Sequence, residues 1–586
     1  MLKKPSMDLN RRPRRIRPRT AFPLALTAVV AACSWATETT CADGVGCVDS
    51  AGGSAGTSGT SSQGGKANKG GAANQGGAAG DAGAGGAQGG VGGEAFAGAG
   101  AGGVGPTPCD VSLSPSENPC IVSNAHAIFV APTGDDDALG TREAPLQSIS
   151  KAVALVAASS TPQVVIACAG AYDQALAITG SARVYGGFSC PEAEKPWEYQ
   201  PGTVALVAPS TQGPALDIRD AAGDVILEDF EFDAADATSP GTSSIAALIV
   251  DSPSVTLRRT RLVAGKAAKG ADGANGMKGA DGASSDGREG RSALCDFADE
   301  LQKGGVWAST ANVCGSLGGD GGQANRAKFG NPGTSGTPLT HVTPANSVNG
   351  GAPPLVDVSA DASNGGPGSA GDAGTPGAVA AGDGTFSDSG YTPAAAGDNG
   401  TDGFPGQGGG GGGASSSSSD AAYETCIGAS GGVGGMGGCG GKAGTGGSAG
   451  GASVALLSWD SGVTLDLCTL IAGPGGDGGV GGNGGPGGTG KPGALGGKGF
   501  SNGTDVTIGK GGDGGPGGNG GAGGPGAGGN GGPSYALVYR GTEPDRTTSA
   551  LTAGRGGKGG LGGSAAAVVG PQGIPGPVAQ TLPLSM

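Results

Sequence analysis

Residues 511–526 read GGDGGPGGNGGAGGPG, two glycines in every three places with a different guest each time. Glycine loses more backbone entropy on folding than any other residue. Such a run is therefore either slack chain or a structure ordered by its backbone. The pattern recurs. Residues 473–488 (GPGGDGGVGGNGGPGG) place glycine at 473, 476, 479, 482, 485 and 488, and residues 270–282 (GADGANGMKGADG) are a looser copy. Collagen has this period but needs abundant proline and three chains. Here the runs are short and the phase slips near Gly490, so collagen is the weaker reading. The stronger one is a left-handed, three-residue-per-turn helix of the polyproline-II type built from glycine, rising about 3.1 Å per residue without internal hydrogen bonds. Its N–H and C=O groups point outward, so a lone helix is solvated coil and only a bundle satisfies its backbone. Plain disorder is the competing reading, and residues 284–450, with the run Ser415–Ser419, are the least regular.

Four other segments align with one another: ALDIRDAAGDVILEDFEFDAA (215–235), ALIVDSPSVTLRRTRLVAG (247–265), ALLSWDSGVTLDLCTLIAG (455–473) and ALVYRGTEPDRTTSALTAG (536–554). Each reads as an apolar strand, a polar turn and a second strand. A unit of this kind cannot bury its own apolar face, but stacked copies can. The first two start 32 residues apart, whereas the later spacings are 208 and 81. The excess always follows the same Ala-Gly corner. A coil of stacked rungs therefore ejects glycine-rich excursions from one corner and then resumes.

The coil has a recognisable opening. Residues 128–130 form a short strand, and Leu146, Ile149, Ala152, Val153 and Val156 recur at helical spacing. Short strands follow at 164–168, 176–179, 183–188 and 204–207, separated by Gly, Pro and Ser turns. The loop Gly140-Thr141-Arg142-Glu143-Ala144-Pro145, the helix 148–157 and Gly170-Ala171-Tyr172 together resemble the start of right-handed parallel β-helix proteins with a pectin-lyase-like fold. They are similar, in particular, to a bacterial surface family known only as a domain of unknown function. The resemblance covers roughly residues 128–265 and implies a fold without an activity. The GGX triplets, in patches over 266–533, resemble the repeat domains of mycobacterial PGRS surface proteins. The expected fold class is all-β: a right-handed parallel β-helix with polyglycine-II-like helices packed along one edge.

The compartment is read from the first residues. Eight Lys or Arg precede residue 20, an apolar run AFPLALTAVVAA follows, and Cys33 ends the junction Val30-Ala31-Ala32-Cys33. Twelve apolar residues are too few to span a bilayer. The junction resembles a bacterial lipobox, which implies diacylation of Cys33 and, with Ser34 next, an outer-membrane rather than inner-membrane destination; an ordinary secretory signal is the alternative. Removing residues 1–32 takes away eight positive charges and Asp8, moving the formal charge from −15 to −22. Such a surface repels nucleic acid, so no nucleic-acid partner is expected. The expected partners are the membrane, through the anchor, and glycans or other surface proteins.

The remaining cysteines are read as short-range disulfides of an oxidising compartment: Cys41–Cys47, Cys109–Cys120, Cys168–Cys190, Cys295–Cys314 and Cys426–Cys439, with Cys468 a buried free thiol. With no CxxC and only two histidines, zinc is disfavoured. The chain then divides into a signal peptide (1–32), a flexible Gly/Ala/Ser-rich tether (33–108), the capping helix and first coils (109–265) and a glycine-rich excursion (266–450). A rung (451–473), a GGX excursion (474–533), a further rung (534–554) and a Gly/Pro-rich tail (555–586) complete it.

Two histidines exclude most Ser/His/Asp and metallohydrolase arrangements. Glu228, Asp229, Glu231 and Asp233 crowd one strand, and Asp229, Glu231 and Asp233 share a face at period two. A glycosidase needs two carboxylates facing a cleft, but an acidic solvated face reads the same way. Asp135, Asp136 and Asp137, before the capping helix, are weak Ca²⁺ candidates. No cofactor and no catalytic residue is assigned. The expected function is a non-catalytic, lipid-anchored structural or adhesive surface protein. The alternatives are a β-helix polysaccharide lyase or hydrolase, which would need an aromatic-lined cleft with convergent carboxylates, and an ice-binding surface, for which no TxT array exists.

Overall fold

The computed structural model describes residues 109–161, 163–190, 197–295, 300–308 and 314–585. Three parallel sheets of six strands carry the apolar segments. The first sheet stacks Ala127–Val130, Val164–Cys168, Ala182–Phe188, Val225–Glu228, Val255–Arg258 and Val463–Asp466. The second stacks Gly170–Tyr172, Ala205–Val207, Phe230–Asp233, Arg261–Val263, Thr469–Ile471 and Ala550–Thr552. The third stacks Leu176–Ile178, Leu216–Arg219, Ser244–Val250, Ser453–Trp459, Ser534–Arg540 and Val578–Leu584. From Val164–Cys168 onward the chain visits the sheets in cyclic order, missing the first sheet only in the last coil, and lands one strand further along on each return, an arrangement compatible with a parallel β-helix. The helix Ile149–Ala158 packs near the first strands through Ile149, Ala152 and Val153.

Register turns the sequence repeat into columns. Val225, Val255 and Val463 stack, as do Leu227, Leu257 and Leu465, and Phe232, Leu262, Leu470 and Leu551. All but Leu551 are buried, so each coil covers the apolar edge that its neighbour would otherwise expose. The first three aligned units each contain three strands rather than two, because a left-handed residue breaks the second strand. Asp229, Arg259 and Leu467 occupy that turn at φ of +60°, +50° and +55°. The last unit lacks its first-sheet strand. Its segment around Pro544 has no apolar alternation, and Asp545 alone bridges to Thr464.

Every excursion leaves after a second-sheet strand (Val263, Ile471 or Thr552) and returns on the third sheet (Ser453, Ser534 or Val578). Serine staples two of these mouths. Ser453 Oγ donates to Gly265 O and Ser534 Oγ to Gly473 O, both at 2.8 Å. The stretch 555–585 is therefore not a tail; it is a third excursion followed by a strand, Val578–Leu584, paired in register with Ser534–Arg540.

The glycine-rich runs pair laterally. In residues 511–526 both glycines of a triplet donate, Gly514 and Gly517 to Ala494 O and Lys491 O, and Gly515 and Gly518 to Gly410 O and Gln407 O. The carbonyls of Gly515 and Gly518 accept from Gly435 and Gly438, and those of Asp513 and Pro516 from Gly365 and Gly368. One run thus has four neighbours, two running with it and two against it. The runs of the excursions are not all parallel, because each long excursion doubles back. A Cβ on Gly410, Gly515 or Gly518 would lie 1.7–2.1 Å from a neighbouring carbonyl oxygen, so only glycine permits this approach.

Guest residues do more than face solvent. Asp272, Asn275 and Asp281 each accept from the guest N–H of the adjoining run (Val480, Asn483 and Thr489), and Asp477 and Asn483 repeat this toward Lys558 and Ser564. Asp and Asn recur at guest positions because they satisfy a backbone donor that the glycine pattern leaves over. Among the guests, Pro516 and Asn519 are exposed, whereas Pro525 is buried.

Candidate functional site

Of the cysteines, Cys33, Cys41 and Cys47 lie outside the described residues. Cys109 is bonded to Cys120 and Cys168 to Cys190, the latter across one coil with Cα atoms 4.8 Å apart. The other two expected pairs are corrected: Cys295 bonds Cys426 and Cys314 bonds Cys439, over separations of 131 and 125 residues. Nearness in sequence was the wrong guide. Leu294 and Ile427 exchange backbone hydrogen bonds, and this register sets Cys295 beside Cys426. In the chain-entropy account, closing loops this long stabilises by roughly 5 kcal/mol each. Non-reducing peptide mapping is expected to recover the 295–426 and 314–439 cross-links; a 295–314 peptide would refute the register.

Cys468 is buried and unbonded. It belongs to a corner column in which Thr260, Cys468 and Ser549 donate to Leu227 O, Leu257 O and Leu465 O of the preceding coil. Burial pushes its pKa up to about 11, above the ordinary 9.0. The raised value keeps the thiol protonated when folded, so this group's contribution to stability is present below pH 9 and is lost as pH rises toward 11. Native protein at pH 8 is expected to resist maleimide until denatured. Cys468→Ser should cost less than about 1 kcal/mol, because hydroxyls already fill the column on both sides. Rapid native labelling would contradict the burial.

The Asp135–Asp137 loop is organised around the helix start. Asp136 Oδ1 accepts from the N–H groups of Gln147 and Ser148, its Oδ2 accepts from Ser148 Oγ, and Lys151 Nζ donates to its carbonyl. Burial would raise the Asp136 pKa, but these hydrogen bonds and Lys151 hold it below the ordinary value. Asp135 accepts from the N–H of Asp137. Asp136 is thereby committed to protein donors, and among the described residues no group of three or more His, Cys, Asp or Glu is placed to hold a metal.

The acidic strand does not form the expected face. Asp229 is the left-handed turn before Phe230–Asp233, and Glu231 and Asp233 alternate with buried Phe230 and Phe232. Glu228 and Asp229 are 2% and 3% exposed and belong to a charge cluster. Arg259 reaches both, Nη2 to Glu228 Oε2 at 2.8 Å and Nε to Asp229 Oδ1 at 2.8 Å. Arg258 reaches Glu228 Oε1 and, one coil on, Asp466, each at 3.0 Å. Ser114 Oγ and Tyr199 OH donate to the remaining lone pairs. Both carboxylates are thus engaged by charge-assisted and hydroxyl donors of the protein itself. Glu231 pairs with Arg261, and Asp233 has its pKa raised by partial burial and then by Glu231.

A concave site lies elsewhere, on the outer face of the third sheet. SIAALIV, SVALLSW and SYALVYR are apolar on both sides, because the hairpin Thr385–Ser387/Gly390–Thr392 of the long excursion folds back onto this face. Between the hairpin and Val578–Leu584 it leaves a groove of about 380 Å³. Phe386 and Tyr391 (ring centroids 4.9 Å apart), Tyr535 and Trp459 line it, with the Arg540 guanidinium 4.9 Å from the Trp459 ring. Sequence reasoning missed this site. TFSDSGYT is legible as a hairpin, but nothing local says which face it covers.

No family model matches the chain, and no curated protein does. Among solved structures, 24% of the chain is similar to 27% of a lacto-N-biosidase of family GH136 from Eubacterium ramulus, at 15% identity and TM-score 0.17. A structure described as rhamnogalacturonan lyase matches over 24% of this chain and 36% of its own length, at 16% identity and TM-score 0.13. The chain spans about a third or less of these proteins, and at such TM-scores the likeness carries no argument about activity.

Proposed function

We propose that this chain is a non-catalytic structural and adhesive protein of the bacterial cell surface. In this reading it is lipid-anchored at Cys33 in the outer membrane, carried on the glycine-rich tether 33–108, and presents a right-handed β-helix with polyglycine-II-like helices along one edge to glycans or other surface proteins. One observation supports this over the lyase or hydrolase reading: the carboxylates crowded at Glu228 and Asp229 are buried in ion pairs with Arg258 and Arg259. The period-three lateral hydrogen bonds of the glycine runs support the helix type, since a three-residue helix repeats its outward donors at that interval.

The anchor is tested by mass spectrometry of the mature N-terminus. A diacylated Cys33 is expected, and Cys33→Ser should move the protein from the membrane to the soluble fraction. An unacylated N-terminus at another residue would overturn the anchored reading. Release of oligosaccharides from plant or microbial polysaccharides by the purified chain would overturn the non-catalytic one.

A further inference from the structure

We propose that the groove on the outer face of the third sheet is a saccharide-binding site that takes a pyranose ring. The inference rests on the adhesive reading for its ligand class, but not on the lipid anchor. The chain holds only 4 Trp, 7 Tyr and 11 Phe in 586 residues, yet four of these rings meet here. Phe386 stands between Tyr391, at 4.9 Å, and Tyr535, at 6.0 Å, and Trp459 forms the neighbouring wall. Four segments far apart in sequence build the site: the hairpin of the long excursion and the three successive third-sheet strands Ser453–Trp459, Ser534–Arg540 and Val578–Leu584.

The rim decides the ligand. Asp383, Thr385, Ser585 and Arg540 bring oxygen and guanidinium groups to the edge of an otherwise apolar surface. A pyranose has the matching division, a C–H face that lies on aromatic rings and an edge of hydroxyls that both donate and accept. A hydrocarbon chain would leave that rim unpaired. A phosphate would meet Asp383 and an Arg540 already paired with Asp460. The volume of about 380 Å³ sits at the lower end of ligand pockets, enough for one or two sugar rings. Arg540, held over the Trp459 ring by Asp460, is placed to fix the orientation of that wall.

The purified mature chain should be tested on a glycan array, then by saturation-transfer NMR with the methyl pyranosides of the sugars it retains. The expected result is transfer to the ring C–H protons and weakening of at least about tenfold in Trp459→Ala, as for an aromatic anchor. Because Trp459→Ala could perturb the sheet, the rim variant Thr385→Val/Asp383→Asn should weaken binding with the thermal transition unchanged. Sugar binding that survives all of these changes would overturn the groove assignment while leaving glycan adhesion standing. No binding to any sugar would overturn both. A chain that is dimeric in solution and becomes monomeric in Trp459→Ala would assign the groove to a second copy instead, and overturn the proposal.

Discussion

Replacing Gly515 or Gly518 by valine is expected to dissolve the glycine-rich bundle while leaving the β coil folded. A Cβ at either position lies 2.1 Å from a carbonyl oxygen, that of Gly366 or Ser369, where ordinary contact needs more than 3.4 Å. The obstacle is backbone, so no rotamer change relieves it. That backbone is itself pinned, since Gly366 N–H donates to Asn349 O and Gly366 O accepts from Gly410. Inserting bulk into a well-packed core costs typically about 1–3 kcal/mol, and here the cost should reach or exceed the upper figure. Hydrogen exchange is the readout. Amides of 365–377, 404–413, 432–441 and 511–526 should lose protection together, as one cooperative unit. The strands Ser244–Val250 and Ser453–Trp459, buried in the coil's own core, should keep theirs. Asn519→Ala is the contrasting substitution. It removes one exposed hydrogen bond, from Gly490 N–H at 3.1 Å, which water can replace, so the effect should stay under about 1 kcal/mol. Random-coil exchange across these runs in the unaltered protein would mean the bundle does not exist.

Arg259→Leu is expected to destabilise the coil by about 3–5 kcal/mol, the cost of leaving a buried charge without its partner. The substitution is clean in its backbone, because Leu467 occupies the equivalent left-handed turn one coil later at φ +55°. Without Arg259, Asp229 keeps only the Tyr199 hydroxyl among its side-chain donors, and Glu228 keeps Arg258 and Ser114. Adding Asp229→Asn to Arg259→Leu should recover a substantial part of the loss, since the amide removes the unpaired charge while keeping the shape. Urea unfolding of the two variants decides it. If Arg259→Leu costs under about 1 kcal/mol, as a surface ion pair would, the cluster is solvated and its carboxylates return as candidates for catalysis.

The sequence by itself determined whatever repeats locally. The strands at 164–168 and 183–188 and the helix before them follow from short-range apolar periodicity, which folding merely buries. The coil was legible because Val225, Val255 and Val463 must stack for any unit to bury its apolar edge, and the three-residue glycine period announced a backbone-ordered region. Tertiary structure decided everything that depends on which distant segments lie side by side. The 295–426 and 314–439 disulfides follow from the doubling back of the long excursion, which no pattern near the cysteines encodes. The carboxylates at 228–233 read in the sequence equally as a solvated face or as part of a cleft; arginines 30 and 31 residues away, one coil on, pair with Glu228 and Asp229 instead. Pro525, a guest like Asn519 in the text, is buried because another run covers it. The aromatic groove likewise exists only where a hairpin from one excursion meets strands that follow it by some 70 and 150 residues. Periodicity fixes which face of a segment is apolar; only the packing of distant segments fixes what that face meets.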